Sequence, residues 1–303
     1  MRGKGSKPGV PVLCNVEGRL CPPEEAVVPV LDRGFLYGDS VYEVVRTYRG
    51  KIFELERHLA RMDKSAERIG LTLPPRERIE REMQRTLEAA KNPESYIRIV
   101  VTRGEGEFGL GTNLAEGKNR LIFIVRPLVV PTKEQYERGL SIAVARTRRN
   151  SPLTLDPALK TGNYLNNVMA LREANDAGAD DAVLLDLQGK VTEATTSNIF
   201  FVQRGVIVTP PLQLGMLEGV TRAVTIEIAQ REGLLVREEP FGPEALAAAD
   251  EVFLTSTIRE QMPVTSLVFL ESAGPQKRQV GSGKPGPVTG RLRAAFGRYV
   301  EGA

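Results

Sequence analysis

What most constrains this chain is the way short strand patterns closed by tight turns alternate with amphipathic helical stretches in both of its halves. From 10 to 48 the pattern reads strand, turn, strand, with "NVEGRL" as one hairpin and "SVYEVVRTYRGKIFEL" as a second, turning at Arg49-Gly50. "ELERHLARMDKSAERIGL" then places Leu55, Leu59, Met62, Ala66 and Ile69 on one helical stripe, closed by Gly70. A second helix is expected over 76–90. The strand "SYIRIVVTRG", the glycine-rich loop "GEGEFGLGTN" and the strand "NRLIFIVRPL" follow. The second half repeats the mixture: the strand "LSIAVART", a loop and helix around 156–178, the hairpin "DAVLLDLQGKVTEATTSNIFFV", the strand "GVIVTPP", the helix "VTRAVTIEIAQREG" and the strand "EVFLTST". The polar turn "GSGKPGPVTG" precedes a last helix. Hairpins interleaved with helices argue for an α+β fold and against a doubly wound parallel sheet.

A chain of 303 residues with 41% hydrophobic side chains has enough apolar material for two domains. The expected boundaries are a disordered tail over 1–10, a small N-terminal domain over 11–127, a linker over 128–138 marked by Pro127 and Pro131, and a larger domain over 139–303. Lys+Arg 41 against Asp+Glu 38 leaves a formal charge of +3 without long basic runs, which gives nucleic acid and membrane surfaces little to bind. No apolar run approaches the ~20 residues of a membrane span. Cys14 and Cys21 could pair but form neither a disulfide framework nor a zinc spacing, so a reducing, cytoplasmic location and no metal are expected. The single histidine, His58, comes without a G-x-S-x-G elbow. Acid–base work therefore falls to lysine, tyrosine or carboxylates.

The stretch "DPALKTGNYLNN" sets Lys160 in a loop feeding a helix on which Leu165, Val168, Met169, Leu171 and Ala174 recur at helical spacing. A helix N-terminus disfavours a nearby ammonium, and a neutral amine is a nucleophile. "GKVTEATTSNIFFV" holds Glu193 among small hydroxylic residues, where a carboxylate needs a cationic partner. "LEGVTRAV" opens a helix at Gly219, Val220 and Thr221, whose free N–H groups make an anion seat. Thr255, Ser256 and Thr257 add hydroxyl donors at a strand end. A nucleophilic lysine, a shielded carboxylate and an anion seat are what pyridoxal 5′-phosphate requires of a protein. Each alone is also what an ordinary solvated lysine, strand glutamate or helix cap looks like.

Taken in order, "DRGFLYGDSVYEVVRTY", "ERHLARM", "YIRIVVTRG", "LKTGNYLNN", "VTEATTSNIF", "GVTR", "EVFLTSTIRE" and "GPVTGRLRAAF" resemble the fold-type IV pyridoxal-phosphate enzymes, the class IV aminotransferases, over nearly the whole chain. The resemblance implies a two-domain fold with the cofactor in the interdomain cleft. It implies that Lys160 is the Schiff-base lysine, that Tyr164 bonds the cofactor's phenolate oxygen and that Glu193 pairs with the pyridine nitrogen. Arg61, the Val220 and Thr221 amides and Thr257 would hold the phosphate. His58, one turn before Arg61, would orient that arginine.

Within the family, Tyr96 and Arg98 of "YIR" and the loop "GLGTN" resemble branched-chain aminotransferases, in which the pair organises the substrate α-carboxylate. Tyr42 and Val44 resemble the D-amino acid enzymes and would reshape the side-chain pocket, which Tyr37, Arg46 and Ile258 also line. Arg46 and Arg259 are cations that could receive a second carboxylate. The implied reaction moves the amino group of leucine, isoleucine or valine to 2-oxoglutarate, in a homodimer whose glycine loop completes the neighbour's pocket. D-amino acid or (R)-amine transamination and aminodeoxychorismate lysis are the alternatives.

Overall fold

A computed structural model describes residues 11–115, 117, 119–271 and 274–302, so the expected tail over 1–10 lies outside the described residues. The chain divides into two compact units, Met1–Val129 and Val130–Ala303.

The first unit is built on a six-stranded antiparallel sheet. Its strands are β1 (Leu13–Val16), β2 (Arg19–Cys21), β3 (Ser40–Tyr48), β4 (Lys51–Ile52), β5 (Ser95–Thr102) and β6 (Arg120–Pro127), in the order β2-β1-β6-β5-β3-β4. The expected turn of the first hairpin forms with Glu17 and Gly18 both at positive φ, as a two-residue turn matched to strand twist requires. Helix α1 (Arg33–Tyr37) precedes β3, and helices α2 (Leu55–Arg68) and α3 (Arg76–Ala90) follow β4.

Strand geometry sends alternate side chains to opposite faces. One face carries Val41, Val45, Ile97, Ile99, Val101, Leu121, Phe123 and Val125, all 0–1% exposed, and packs against Leu59, Met62, Ile79 and Met83 of α2 and α3. Cys14 and Cys21 are free, buried and directly opposed in the β1–β2 ladder.

A fully buried carboxylate lies within that core. Glu43 points from β3 among the apolar side chains, is 0% exposed, and accepts from Arg61 Nε and Nη2 at 2.7 Å each. His58 Nδ1 lies 2.9 Å from the same carboxylate. Burial alone pushes the Glu43 carboxyl up, but the charge and hydrogen bonds of Arg61, with those of His58, outweigh it and hold the group well below the usual carboxylate range.

The second unit carries helix α4 (Lys133–Arg138), strand β7 (Leu140–Val144), helix α5 (Leu165–Asp176) and strands β8 (Asp181–Leu185), β9 (Val191–Ala194), β10 (Asn198–Gln203) and β11 (Val206–Thr209). Helix α6 (Val220–Arg231), strand β12 (Val236–Glu238), helix α7 (Pro243–Ala247), strands β13 (Glu251–Ser256), β14 (Glu260–Glu271) and β15 (Gly274–Gln279) and helix α8 (Pro287–Glu301) complete it. Its sheet runs β12-β11-β10-β13-β14-β7-β8-β9, with β15 on β14. The ladders β7–β8, β7–β14 and β11–β12 are parallel and the rest antiparallel.

Two expectations change. The stretch 128–138 contains α4, closed by a capping box between Thr132 and Gln135, and it buries Tyr136 in the second unit's core. Both Pro127 and Pro131 precede that helix. In α5 three of the five recurring apolar residues face outward, Leu165, Val168 and Met169 at 70%, 58% and 52% exposed, while Leu171 is half-buried and Ala174 buried. The buried positions are Asn167, Ala170 and Ala174, packed with Ala143, Ala145, Ala179 and Ala182. Alanines let this helix lie close on β7 and β8, and so fix the loop that enters it.

The depressed Glu43 carboxyl gives a signed pH effect. A carboxylate stabilised in the folded state contributes above its ordinary value of 4.5 and loses that contribution as pH falls. Glu43→Gln should destabilise the first unit by about 3–5 kcal/mol at neutral pH. It should also flatten the fall in stability between pH 4.5 and the acid limit. Urea denaturation across that range measures both, and an unchanged acid limb would count against this role for Glu43.

Candidate active site

Lys160 lies in the loop between β7 and α5 and is 8% exposed. The loop is shaped by Asp156, whose carboxylate accepts from the Ala158 N–H at 3.0 Å and whose carbonyl accepts from the Leu159 N–H at 3.1 Å. Lys160 Nζ stands 3.4 Å from the Tyr164 hydroxyl, and Tyr164 is the residue that caps α5. The structure therefore brings this pair together.

Glu193 sits in β9, where all four residues are buried, and is itself 5% exposed. The cation that its setting demands is Arg149, 7% exposed, whose Nε and Nη2 each reach Glu193 Oε1 at 2.9 Å. Glu193 Oε2 accepts from the Leu217 N–H at 3.2 Å. Arg149 Nη1 donates to the side-chain oxygens of Asn166 at 3.2 Å and Asn167 at 3.5 Å, in the first turn of α5. Asn167 donates in turn to the Thr195 carbonyl at 2.7 Å, just past β9.

The chain of bonds continues to α6. The Asn198 amide donates to the Leu217 carbonyl at 2.9 Å, and a Cβ at Gly219 would fall inside the Asn198 side-chain oxygen. Any Cβ there would have to displace the Asn198 side chain. Gly219 offers no side-chain cap, so the first N–H groups of α6, on buried Val220 and Thr221, have no side-chain acceptor from their own cap residue. Thr255 stands opposite Asn198 in the β10–β13 ladder, and the hydroxyls of Thr255 and Ser197 are buried with no hydrogen-bond partner. Buried polar atoms left unmatched at a helix start suit an anion with several acceptor oxygens. Thr257 and Ile258 are half-buried in the turn between β13 and β14. Arg259, in the same turn, is paired with fully buried Asp181. Its charge is thus matched within the unit.

In the first unit, Tyr42, Val44, Arg46, Tyr96 and Arg98 all occupy the sheet face opposite the helices. The register places Val44 beside Arg98 and Arg46 beside Tyr96. Arg98 stacks 4.0 Å over the Tyr42 ring and Arg46 3.9 Å over Tyr48. Tyr37 closes α1 under the guanidinium of Arg33, 5.0 Å from its ring centre. Arg33 also ties down the glycine-rich loop through the carbonyls of Gly109 at 2.8 Å and Leu110 at 3.1 Å. Arg61 lies on the helix-covered side of its unit, forked onto Glu43, and His58 shares that carboxylate.

Sequence reasoning missed Arg149, Asn166, Asn167 and Glu43. Glu43 left a cue, an acid on the inward face of an apolar strand. Arg149 left none beyond the demand of Glu193 for a cation, and 41 lysines and arginines could have met that demand.

Comparison with known proteins bears on this arrangement. A family model described as amino-transferase class IV matches residues 40–267. A Methanocaldococcus jannaschii protein provisionally named a branched-chain-amino-acid aminotransferase is 37% identical over 282 residues, covering 93% of this chain and 94% of that one. A D-alanine aminotransferase from Bacillus licheniformis is 34% identical over 282 residues, covering 92% of this chain and 94% of its own. The crystal structure of the T.th. branched-chain amino acid aminotransferase with pyridoxamine 5′-phosphate superposes with a TM-score of 0.86 at 31% identity, covering 96% and 94% of the two chains.

Arg149→Met should leave Glu193 buried without its counter-charge and destabilise the second unit by about 3–5 kcal/mol. The double variant with Glu193→Gln should recover part of that loss. A denaturation double-mutant cycle with no coupling between the two positions would show that the pair does not act as a unit.

Proposed function

Given that the chain belongs to the class IV aminotransferases, we propose that it uses pyridoxal 5′-phosphate to move the amino group of an aliphatic L-amino acid, leucine, isoleucine or valine, to 2-oxoglutarate. One observation carries this reading. A continuous set of hydrogen bonds runs from the first turn of α5 through Arg149 and Glu193 to Leu217, in the loop leading to α6, and on to Asn198. It links the elements holding the lysine, the carboxylate and the anion seat.

When bound, pyridoxal phosphate supplies an aldehyde carbon that an amine can attack and a protonated ring that draws electrons from the substrate's α-carbon. The protein's share of the work follows from where its groups stand. Lys160 Nζ would hold the cofactor, and as an amine it would be the group to move the proton at the substrate's α-carbon. Tyr164 donates its hydroxyl proton toward the cofactor's phenolate oxygen. Glu193, fixed by the Arg149 fork, accepts from the pyridine N–H. The Val220 and Thr221 N–H groups, the Thr257 hydroxyl and Arg61 hold the phosphate. Tyr96 and Arg98 orient the substrate α-carboxylate, and Tyr37, Tyr42, Val44, Arg46 and Ile258 bound its side chain.

The L-branched-chain assignment draws support from the Tyr96–Arg98 pair and from relatives carrying that name. Tyr42 and Val44, together with the D-alanine aminotransferase relative, favour D-amino acids as the second reading. Ser256-Thr257 stands where the family's lyases carry an Asn-Ser pair, which disfavours lyase chemistry.

We infer a homodimer or an assembly of dimers. Phe108 and Leu110 of the glycine-rich loop are 77% and 80% exposed, and with the outward stripe of α5 they leave apolar surface that a second copy would cover. No described helix is long and apolar enough to cross a membrane. The two free thiols fit a reducing, cytoplasmic setting.

Borohydride reduction and peptide mapping of the loaded protein should place the cofactor's mass on Lys160, and Lys160→Ala should abolish it; a trapped cofactor on another lysine would refute the assignment. In single-turnover spectroscopy, L-leucine should convert the cofactor to its amine form faster than D-alanine or (R)-1-phenylethylamine. Faster conversion by D-alanine would replace the branched-chain reading with the D-amino acid one. Glu193→Gln should slow this conversion by orders of magnitude while weakening cofactor binding far less.

A further inference from the structure

The proposed reaction makes no use of Cys14 and Cys21, the two cysteines of the chain. They are 5% and 3% exposed and stand directly opposite one another in the β1–β2 ladder. Directly opposed residues of an antiparallel pair send their side chains to the same face. Here that face is the one turned away from α2 and α3, because Cys14 is also opposite Ile124, whose neighbours Phe123 and Val125 point into the core under the helices. Burial pushes the Cys14 thiol up, and the neighbouring Cys21 and Glu24 add to that rise. Cys14 therefore rests as a thiol while the ladder is closed.

Backbone geometry brings the pair within disulfide range. Opposed Cα atoms in an antiparallel ladder lie about 4.5 or 5.5 Å apart, and both values fall inside the ~4.4–6.8 Å that a disulfide spans. Their Cβ atoms lie about 4.5–5.5 Å apart in such a ladder, against about 3.8 Å in a disulfide, so closure asks for an approach of about 1–2 Å. Strand β2 is able to make that approach. It is three residues long, ends the sheet and pairs with β1 alone. Pro22 and Pro23 follow Cys21 and carry no N–H with which to extend the ladder, and residues 22–25 are all exposed. A short edge strand held on one side opens at low cost, and opening it uncovers Cys21.

From this register we propose that Cys14 and Cys21 form a reversible modification site, a dithiol that a low-molecular-weight disulfide converts into a cross-strand bond between β1 and β2. The Cys21 thiolate, uncovered when β2 opens, attacks one sulfur of the small disulfide and expels the other as a thiolate. The Cys14 thiolate then attacks the Cys21 sulfur of the mixed disulfide and expels the second small thiolate. The two cysteine protons pass through solvent to the two expelled thiolates. The protein gives up two electrons and two hydrogens, and one small disulfide becomes two small thiols. Excess small thiol reverses both steps. The bond fastens the edge strand to its neighbour, and this chemistry is independent of transamination. In a reducing compartment such a pair stays open until oxidant accumulates.

The test equilibrates the full chain with glutathione and glutathione disulfide at a series of ratios, natively and in concentrated urea, then traps free thiols by alkylation. Trypsin cleaves after Arg19, so the two cysteines fall on separate peptides that only the bond joins. The linked peptides should appear in chains that migrate as single chains on a non-reducing gel, and dithiothreitol should release them. Closure should be about 10- to 100-fold more favourable natively than in urea, because a bond that fits the folded ladder stabilises the folded state by the same factor. Cys14→Ser should stop at the mixed disulfide of Cys21 with glutathione. Closure no more favourable natively than in urea would overturn the proposal, as would bonds formed only between chains or glutathione retained on both cysteines without closure.

Discussion

The second unit is organised around the fork of Arg149 on Glu193. A carboxylate in a fully buried strand cannot stand alone, because taking one charge out of water costs several kcal/mol unless another compensates it. Arg149 supplies that compensation with Nε and Nη2, and its remaining nitrogen bonds the asparagines that open α5. One guanidinium thus fixes the carboxylate, the start of the helix entered from the Lys160 loop and, through Leu217 and Asn198, the approach to α6. The placement proposed for Glu193 is thus inherited from its ion pair with Arg149.

The first unit uses the same device for a different end. Glu43 and Arg61 are buried among the apolar side chains under α2. Their fork pins the helix to β3, so Arg61 is placed by the core. His58, sharing the carboxylate, serves that arrangement.

In the first sheet the alternation of strand side chains decides which groups face away from α2 and α3. Odd positions of β3 and β5 go to the helices, and Tyr42, Val44, Arg46, Tyr96 and Arg98 emerge together on the other face. Arginine–tyrosine stacking then holds cations on that face where no acid lies between them. The residues that suggested conflicting substrates in the linear sequence are neighbours on one surface.

Local chemistry made much of this legible from the chain alone. The Glu17-Gly18 turn, the helix over 76–90, the loop placement of Lys160 and the capless start of α6 follow from interactions within a few residues, which any fold must respect. Other features depended on distant segments. The strand β14 was hidden by Pro263, which ordinarily argues against an inner strand and is tolerated here beside a register shift at Val264 and Ser266. The apolar spacing placed helix α5 but did not mark its buried face, where Ala170 and Ala174 pack closely against β7 and β8 while Leu165, Val168 and Met169 stay outside. The partner of Glu193 could not be chosen, since charge complementarity is satisfied by any cation and only the folded chain brings one residue within 2.9 Å. Sequence determined which chemical groups were present and how each bends its own few residues of backbone. Tertiary structure decided which of them meet, because burial and pairing energies depend on contacts between residues far apart in the chain.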